Sequence, residues 1–377
     1  MVWNQLTDHL QVVYGAAAAL VIVLVLTPAV GSAARYLRLV ERRPEGERAR
    51  PSVPRLGGLA LFLGTIVPSV AFLPLSGAMR GIVLGAAVAT TVGAVDDFRG
   101  LVWWQKLGGQ LLAAAIPTGF GVYVQRFTFP VLGVHHLPEW VGVPVTVVGI
   151  VAVMNMVNFL DGLDGLAAGV CAISGATFCV IELDYGKVAP AVLAAIVCGA
   201  CLGFLRHNFY PARIFMGDSG ALLLGFVLAT TSVQGLLKTA ALATLVLPLL
   251  VLAIPIIDTS FVIAKRLKYR QPVWLADRPH LHHRFVNIGF SQRRAVVYLY
   301  GWCVTLALAA LATRFVHPHR HGDWAPLSVA LDAAVGLLAL GTSVYVVYLL
   351  EIVKPANPFI RRRAAQEQLA TKSRALG

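Results

Sequence analysis

Residues 12–34 read VVYGAAAALVIVLVLTPAVGSAA, 23 positions without one charged side chain. A helix needs about 20 consecutive apolar residues to cross a bilayer, so this stretch decides the class of the fold. The segment ahead of it, Met1 to Gln11, holds no Lys or Arg. It lacks the basic flank of a secretory signal, and the run is expected to be a retained helix. The composition carries the same message along the whole chain. Of 377 residues, 58% are hydrophobic and 13% are charged, about half the charged share of a soluble domain. Mean hydropathy is +0.74. Disordered, collagenous and disulfide-stapled secreted classes are excluded. The excess of 31 Lys and Arg over 18 Asp and Glu has a simpler use beside a membrane than on a nucleic acid.

Eleven apolar runs are long enough to span: Val12–Ala34, Gly57–Leu75, Ala78–Val95, Leu107–Val122, Val141–Val157, Leu166–Ile181, Val188–Leu205, Ala221–Leu236, Thr239–Ala264, Ala295–Ala312 and Pro326–Val353. The expected fold is an all-α polytopic integral membrane protein of about 11 transmembrane helices. Basic residues test that count, because they concentrate on cytoplasmic loops. With the N-terminus outside and the C-terminus cytoplasmic, 25 basic residues fall inside and 6 outside. The inner ones lie in Arg35–Arg55, at Arg99 and Lys106, at Arg206 and Arg213, in Lys265–Arg294 and in the tail from Lys354. One transmembrane domain is expected over 1–353, with inner loops 35–56, 96–107, 155–166, 206–220 and 265–294, followed by a basic cytoplasmic tail, 354–377. The five cysteines all fall in apolar runs and read as packing residues.

Acids and amides are few enough to place singly, and they collect at the inner ends. Asp96 and Asp97 close the third run, followed by Arg99 and Lys106. Adjacent carboxylates at a membrane edge repel each other and call for a cation or a shared proton. Asn155, Asn158, Asp161 and Asp164 follow at steps of three in MNMVNFLDGLDGL, residues 154–166. On a helix the first three would share a face about 120° wide, while Asp164 drifts off it. Gly162 and Gly165 permit a turn and a close approach of backbone amides to an anion or base. Asn208 and Phe215 precede Gly217-Asp218-Ser-Gly220. There N–H groups at a helix start could face a phosphate while Asp218 holds its Mg²⁺. Phe215 is a stacking surface for a base or a plain interfacial aromatic. The last basic loop carries Arg278, His280, His282 and His283, a set better suited to phosphates and sugar hydroxyls than to a closed metal site.

Together these segments resemble the polyprenyl-phosphate N-acetylhexosamine-1-phosphate transferase family (glycosyltransferase family 4). The resemblance is carried by Pro54-Arg-Leu-Gly-Gly58, Asp96-Asp97-Phe-Arg-Gly-Leu101 with Lys106, Asn155–Leu166, Asn208–Gly220, Ile254-Pro-Ile-Ile-Asp258 and Asp277–Arg284. The His-x-His-His spacing is similar to the branch that uses UDP-N-acetylglucosamine. It is less similar to the peptidoglycan branch, whose donor carries a muramyl pentapeptide. One stretch departs: where family members usually have Arg-Lys-x-His, this chain reads Glu47-Arg-Ala-Arg-Pro51, leaving open whether Arg48 and Arg50 take over as anion contacts.

The resemblance implies transfer of N-acetylglucosamine 1-phosphate, or a related N-acetylhexosamine 1-phosphate, from the UDP-sugar to undecaprenyl phosphate at the cytoplasmic face of a bacterial inner membrane. It implies Mg²⁺, with Mn²⁺ as an alternative, held by Asp218 with support from Asp97. Lys106 would contact phosphate, and Asp96 would act as base. Asn155 and Asn158 would bind substrate, Asp161, Gly162, Asp164, Asn208 and Phe215 would form the uridine and diphosphate pocket, and Arg278, His280, His282 and His283 would read the sugar or its pyrophosphate. One-step transfer and an aspartyl-phosphate route both stay open. So do a homodimer and the identity of the polymer built downstream, whether O-antigen, teichoic acid or another cell-wall glycan. The rivals are a phospho-N-acetylmuramoyl-pentapeptide transferase and an ion-coupled secondary transporter. A transporter would keep its acids near the midplane rather than at one face.

Overall fold

The computed structural model describes residues 9–37, 40–41, 53–129, 133–235, 291–315, 319–320, 323–324 and 326–349. Ten helices lie among them: α1 (Gln11–Tyr36), α2 (Gly57–Phe72), α3 (Gly77–Arg99), α4 (Trp103–Gly119), α5 (Glu139–Leu160), α6 (Leu166–Asp184), α7 (Val188–Asn208), α8 (Gly217–Gly235), α9 (Gln292–Phe315) and α10 (Pro326–Leu349). Three two-stranded antiparallel ribbons join them: β1 (Val40–Glu41) with β2 (Val53–Pro54), β3 (Arg126–Phe129) with β4 (Gly133–His136), and β5 (His319–Arg320) with β6 (Asp323–Trp324). The helices overlay ten of the eleven expected runs. The run Thr239–Ala264 lies outside the described residues, as do Arg48, Arg50, Asp258, Arg278, His280, His282, His283 and the tail 354–377. Helices α1, α3, α5, α6 and α7, with Gln292–Ala312 of α9, are long and apolar enough to cross a membrane, six in all. The protein is an all-α, multi-pass membrane protein.

Helix α1 shows how the outer layer is made. It buries Val12, Gly15, Ala19, Val23 and Thr27, a stripe at steps of three and four, and packs on α7 and α2. Its opposite face exposes Val13, Tyr14, Val21 and Val25, as suits lipid. At the centre stands α8, which buries nearly every residue from Ser219 to Val233 and packs against α2, α3, α5, α6 and α7. Enclosed by protein on all sides, it can carry Thr230, Thr231 and Ser232 where a lipid-facing helix would be penalised.

Short connections between antiparallel helices sort the polar segments to two ends. One end holds Arg55–Leu56, Gly100–Val102, Asp161–Gly165 and Phe209–Met216. The β3–β4 ribbon and the turn after α6 lie at the other, where Arg314 of α9 pairs with Asp184 and lies over the Tyr185 ring, 4.2 Å from its centroid. Helix α9 runs parallel to α6, because Tyr300 meets Gly165 at the first end and Arg314 meets Asp184 at the second. Gly235 approaches Glu182, so Gly235 and Gln292 sit at opposite ends of the bundle.

The expected loop 96–107 shrinks to three residues. Asp96 and Asp97 ride the last turn of α3, which Gly100 closes at φ 67° with its N–H bonded to the Asp96 carbonyl at 2.8 Å. Lys106 sits in the first turn of α4. Both side chains therefore have helical anchors. All five cysteines are unpaired and lie within helices.

Candidate active site

Four segments distant in sequence meet at the polar end of the bundle. The Lys106 ammonium lies 2.8 Å from Asp96 Oδ2 and forms an ion pair with Asp218 Oδ2. Asn158 Nδ2 donates to the other Asp218 oxygen at 2.8 Å, and Lys106 donates to Asn158 Oδ1 at 3.4 Å. Asp96 is fixed in turn by the Leu101 N–H, which donates to Oδ1 at 2.6 Å. Side-chain exposure is 13% for Asp96, 19% for Lys106 and 29% for Asp218. The knot is therefore reachable, with Asp218 its most open member.

Asp97 faces a different way. Its Oδ1 accepts from the Asp218 N–H at 2.9 Å, and Oδ2 from the Ser219 N–H at 3.0 Å and the Ser219 hydroxyl at 2.9 Å. The sequence left those N–H groups to a phosphate. In the structure the carboxylate of α3 occupies them and caps the start of α8, where orphan donors and the helix dipole favour negative charge. Such a close join requires glycine at two places. Gly217 has φ 68°, and a Cβ there would meet Asp97 Oδ2 at 2.5 Å. A Cβ on Gly93 would lie 2.5 Å from the Asp218 carbonyl carbon and oxygen.

Asn155 and Asn158 share a face of α5, as their spacing predicts. Asn155 pairs with Gln110 of α4, donating at 2.8 Å and accepting at 3.2 Å. Asp161 is the C-cap of α5 and lies near Asp218, Asp97 and Arg55. Burial, then repulsion by Asp218 and Asp97, raises its pKa well above the ordinary carboxylate value, with the Arg55 charge pulling the other way. Gly162 is exposed in the turn that follows.

Asp164 and Asn208 leave this cluster for the connection behind it. Asp164 Oδ2 accepts from the Ala212 N–H at 3.0 Å. Asn208 accepts from the Gly165 N–H at 3.0 Å and donates to the Ile214 carbonyl at 2.9 Å. Both are buried, at 4% and 1% exposure, so their direct partners here are protein groups. Phe215 is held by its backbone, with its N–H bonded to the Pro54 carbonyl at 2.8 Å and its carbonyl to the Gly57 N–H at 2.9 Å.

Three residues of the site escaped the sequence reading. Gln110 stands one turn after Lys106 on α4, a polar i, i+4 pair in a mostly apolar helix. Ser219 hides between two glycines. Arg55 is exposed within Pro54–Gly58, a segment used only for its resemblance.

The donor set fits a magnesium-type cation. The carboxylates of Asp96, Asp97, Asp161 and Asp218 outnumber the charges of Lys106 and Arg55, and hard oxygens in excess suit such an ion. Among the described residues no three acidic, histidine or cysteine side chains converge as a ready-made cage. An ion here would be shared with substrate phosphates, the habit of Mg²⁺. Asp218 is the best placed to hold it. Asp97 has one lone pair left, on Oδ1, after its three hydrogen bonds.

Comparisons with known proteins agree with this assembly. The profile described as "Glycosyl transferase family 4" matches residues 79–236, a range covering every described site residue except Arg55. A probable undecaprenyl-phosphate N-acetylglucosaminyl 1-phosphate transferase of Bacillus subtilis is 35% identical over 306 residues, covering 80% of this chain and 85% of that protein. A decaprenyl-phosphate N-acetylglucosaminephosphotransferase of Mycobacterium leprae is 34% identical, with 81% of this chain and 84% of the relative covered. A phospho-N-acetylmuramoyl-pentapeptide-transferase of Moorella thermoacetica is 32% identical, with 78% and 95% covered.

Proposed function

Because the chain belongs to the polyprenyl-phosphate N-acetylhexosamine-1-phosphate transferase family, glycosyl transferase family 4, we propose that it moves N-acetylglucosamine 1-phosphate from the UDP-sugar to undecaprenyl phosphate and releases UMP. The observation that carries this reading is the knot of Lys106, Asp96, Asp218 and Asn158 at one end of the bundle. It is a cationic centre inside an acidic rim, where two anionic substrates can be brought together. Membership in a transferase family weighs against the ion-coupled carrier. The phospho-N-acetylmuramoyl-pentapeptide reading keeps the support of the Moorella relative and its 32% identity.

In the reaction, an oxygen of the lipid phosphate bonds to the sugar-bearing phosphorus while the bond from that phosphorus to the UMP oxygen breaks. One phosphoanhydride replaces another, so no ATP is needed. Lys106 releases part of its pairing to the substrate phosphates and neutralises charge as they approach. Asp96, held by Leu101, keeps the incoming phosphate deprotonated; a phosphomonoester already loses its second proton near pH 6, so this contribution is modest. Asp218, its rotamer fixed by Asn158, would hold Mg²⁺ or Mn²⁺, which would supply charge neutralisation at the substrate phosphates. Asp97 keeps the α8 terminus in place, while Asp161 and Gly162 form the wall where the nucleotide would lie. We place the site on the cytoplasmic face of a bacterial inner membrane, with eleven crossings and the N-terminus outside, on the strength of the basic-residue asymmetry.

The purified protein with undecaprenyl phosphate, Mg²⁺ and radiolabelled UDP-N-acetylglucosamine should yield a lipid-soluble product and UMP. Competition with UDP-N-acetylgalactosamine and the UDP-muramyl pentapeptide, read by mass of the lipid, assigns the donor; exclusive use of the pentapeptide would move the chain to the other branch. The Asp218→Ala variant should lose about a hundredfold to a thousandfold in turnover, as expected when a preorganised electrostatic group is removed. Full activity in that variant rules out the metal assignment.

A further inference from the structure

Helix α9 carries no residue of the knot, yet it reaches the turn beside Asp161 through one side chain. The Tyr300 hydroxyl donates to the Gly165 carbonyl at 2.5 Å. Gly165 is the N-cap of α6 at φ 83°, and its peptide groups are fully engaged. Its N–H goes to Asn208 at 3.0 Å, and its carbonyl also accepts the Gly169 N–H at 2.9 Å. One turn into α6, a Cβ on Gly169 would lie 2.1 Å from Tyr300 Cζ and Oη. The phenol ring thus fills the space that any other residue at 169 would claim. The close approach at Gly169 and the hydroxyl contact converge on the same Gly165 carbonyl. A lipid-facing or merely space-filling aromatic needs neither a glycine seat nor a backbone acceptor.

We propose that Tyr300 is a positioning residue for the donor site: its hydroxyl clamps Gly165, and through it fixes the Asp161–Gly165 turn against which the nucleotide of the UDP-sugar binds. The proposal rests on the transferase reading above. With the clamp in place, the turn is held from the α7 side by Asn208 and from the α9 side by Tyr300. Without it, the turn keeps Asn208 and the bond from the Ala212 N–H to Asp164 but loses its tie to α9, and the nucleotide must supply that ordering at the expense of affinity. The lipid phosphate, by contrast, meets Lys106 and Asp218, whose supports come from α3, α4 and α5. The effect should therefore fall on one substrate.

Tyr300→Phe removes the hydroxyl and keeps the ring, while Gly169→Ala keeps the hydroxyl and pushes the ring off its seat. Each is expected to raise KM for the UDP-sugar about threefold to tenfold, the range of one neutral hydrogen bond, with kcat and KM for undecaprenyl phosphate within about twofold of the parent. The double variant should be no worse than the poorer single variant, because both disrupt one contact. UMP binding by calorimetry should weaken in the same proportion. Equal losses for both substrates, or multiplying losses in the double variant, would mean general loosening of α6 and overturn the proposal. Unchanged donor KM in Tyr300→Phe overturns it as well. Absence of turnover and of UMP binding in the parent protein would instead sink the transferase reading itself.

Discussion

Asp161 shows what a binding site costs the fold that carries it. Half-buried near Asp218 and Asp97, its carboxyl is held well above the ordinary carboxylate value, so the folded protein binds this proton more tightly than the unfolded chain does. Stability from such a group is fully present below about pH 4, the unfolded value, and is lost as pH rises through the folded one. Asp161→Asn, which cannot ionise, should therefore raise the melting temperature of the ligand-free protein at pH 7. The gain should shrink toward pH 4, while affinity for UMP falls. A melting temperature at pH 7 equal to or below the parent's would show that the charge is relieved some other way. At this scale the sequence told residue type and neighbourhood but not direction. Asp96 and Asp97 are indistinguishable as a pair of letters; a 100° step around α3 sends one to Lys106 and the other to the α8 terminus. Asp164 and Asn208 read as ligand contacts because buried polar groups look alike whether their partner is a nucleotide or a backbone.

Among the described helices, α8 is seated against backbone at its first turn. Its first turn is gripped by Asp97 and pressed against α3 at Gly93, where an added Cβ would meet backbone rather than a yielding side chain. Gly93→Ala should cost about 1–3 kcal/mol from overpacking alone and should also shift Asp218, so turnover falls further than stability. Gly108→Ala on α4, with nothing within 4 Å, is the matched control: it should leave turnover unchanged and raise stability by up to about 1 kcal/mol, the helix preference for alanine over glycine. Thermal unfolding and turnover on the same preparations check this. Helix positions were readable from apolar run lengths, since lipid imposes a length that water does not. The ends were not: Lys106 and the Asp96–Asp97 pair were assigned to a loop, because polar residues stop an apolar run before they stop a helix.

For the whole molecule, the basic-residue asymmetry predicts the sidedness, and the sorting of connections to two ends supplies the positions that test it. Arg126→Cys, on the β3–β4 ribbon, should react with an impermeant thiol reagent added to intact cells. Arg206→Cys, exposed near the end of α7, should react only after the membrane is opened. The five native cysteines lie within helices and should contribute little background. Labelling of Arg206→Cys from outside, with Arg126→Cys protected, would overturn the orientation. What composition could not reveal is which helix lies at the centre, since this depends on neighbours contributed by separate parts of the chain.

That central helix has a consequence for how the protein is made. Among the described residues, the principal packing partners of α8, namely α2, α3, α5, α6 and α7, precede it in the chain. Synthesis runs from the N-terminus at about 5–20 residues per second, so the ribosome delivers the cradle before the helix that fills it. A segment with an acid in its first turn and three consecutive hydroxyl residues near its far end can then partition into a waiting protein groove rather than into bare lipid.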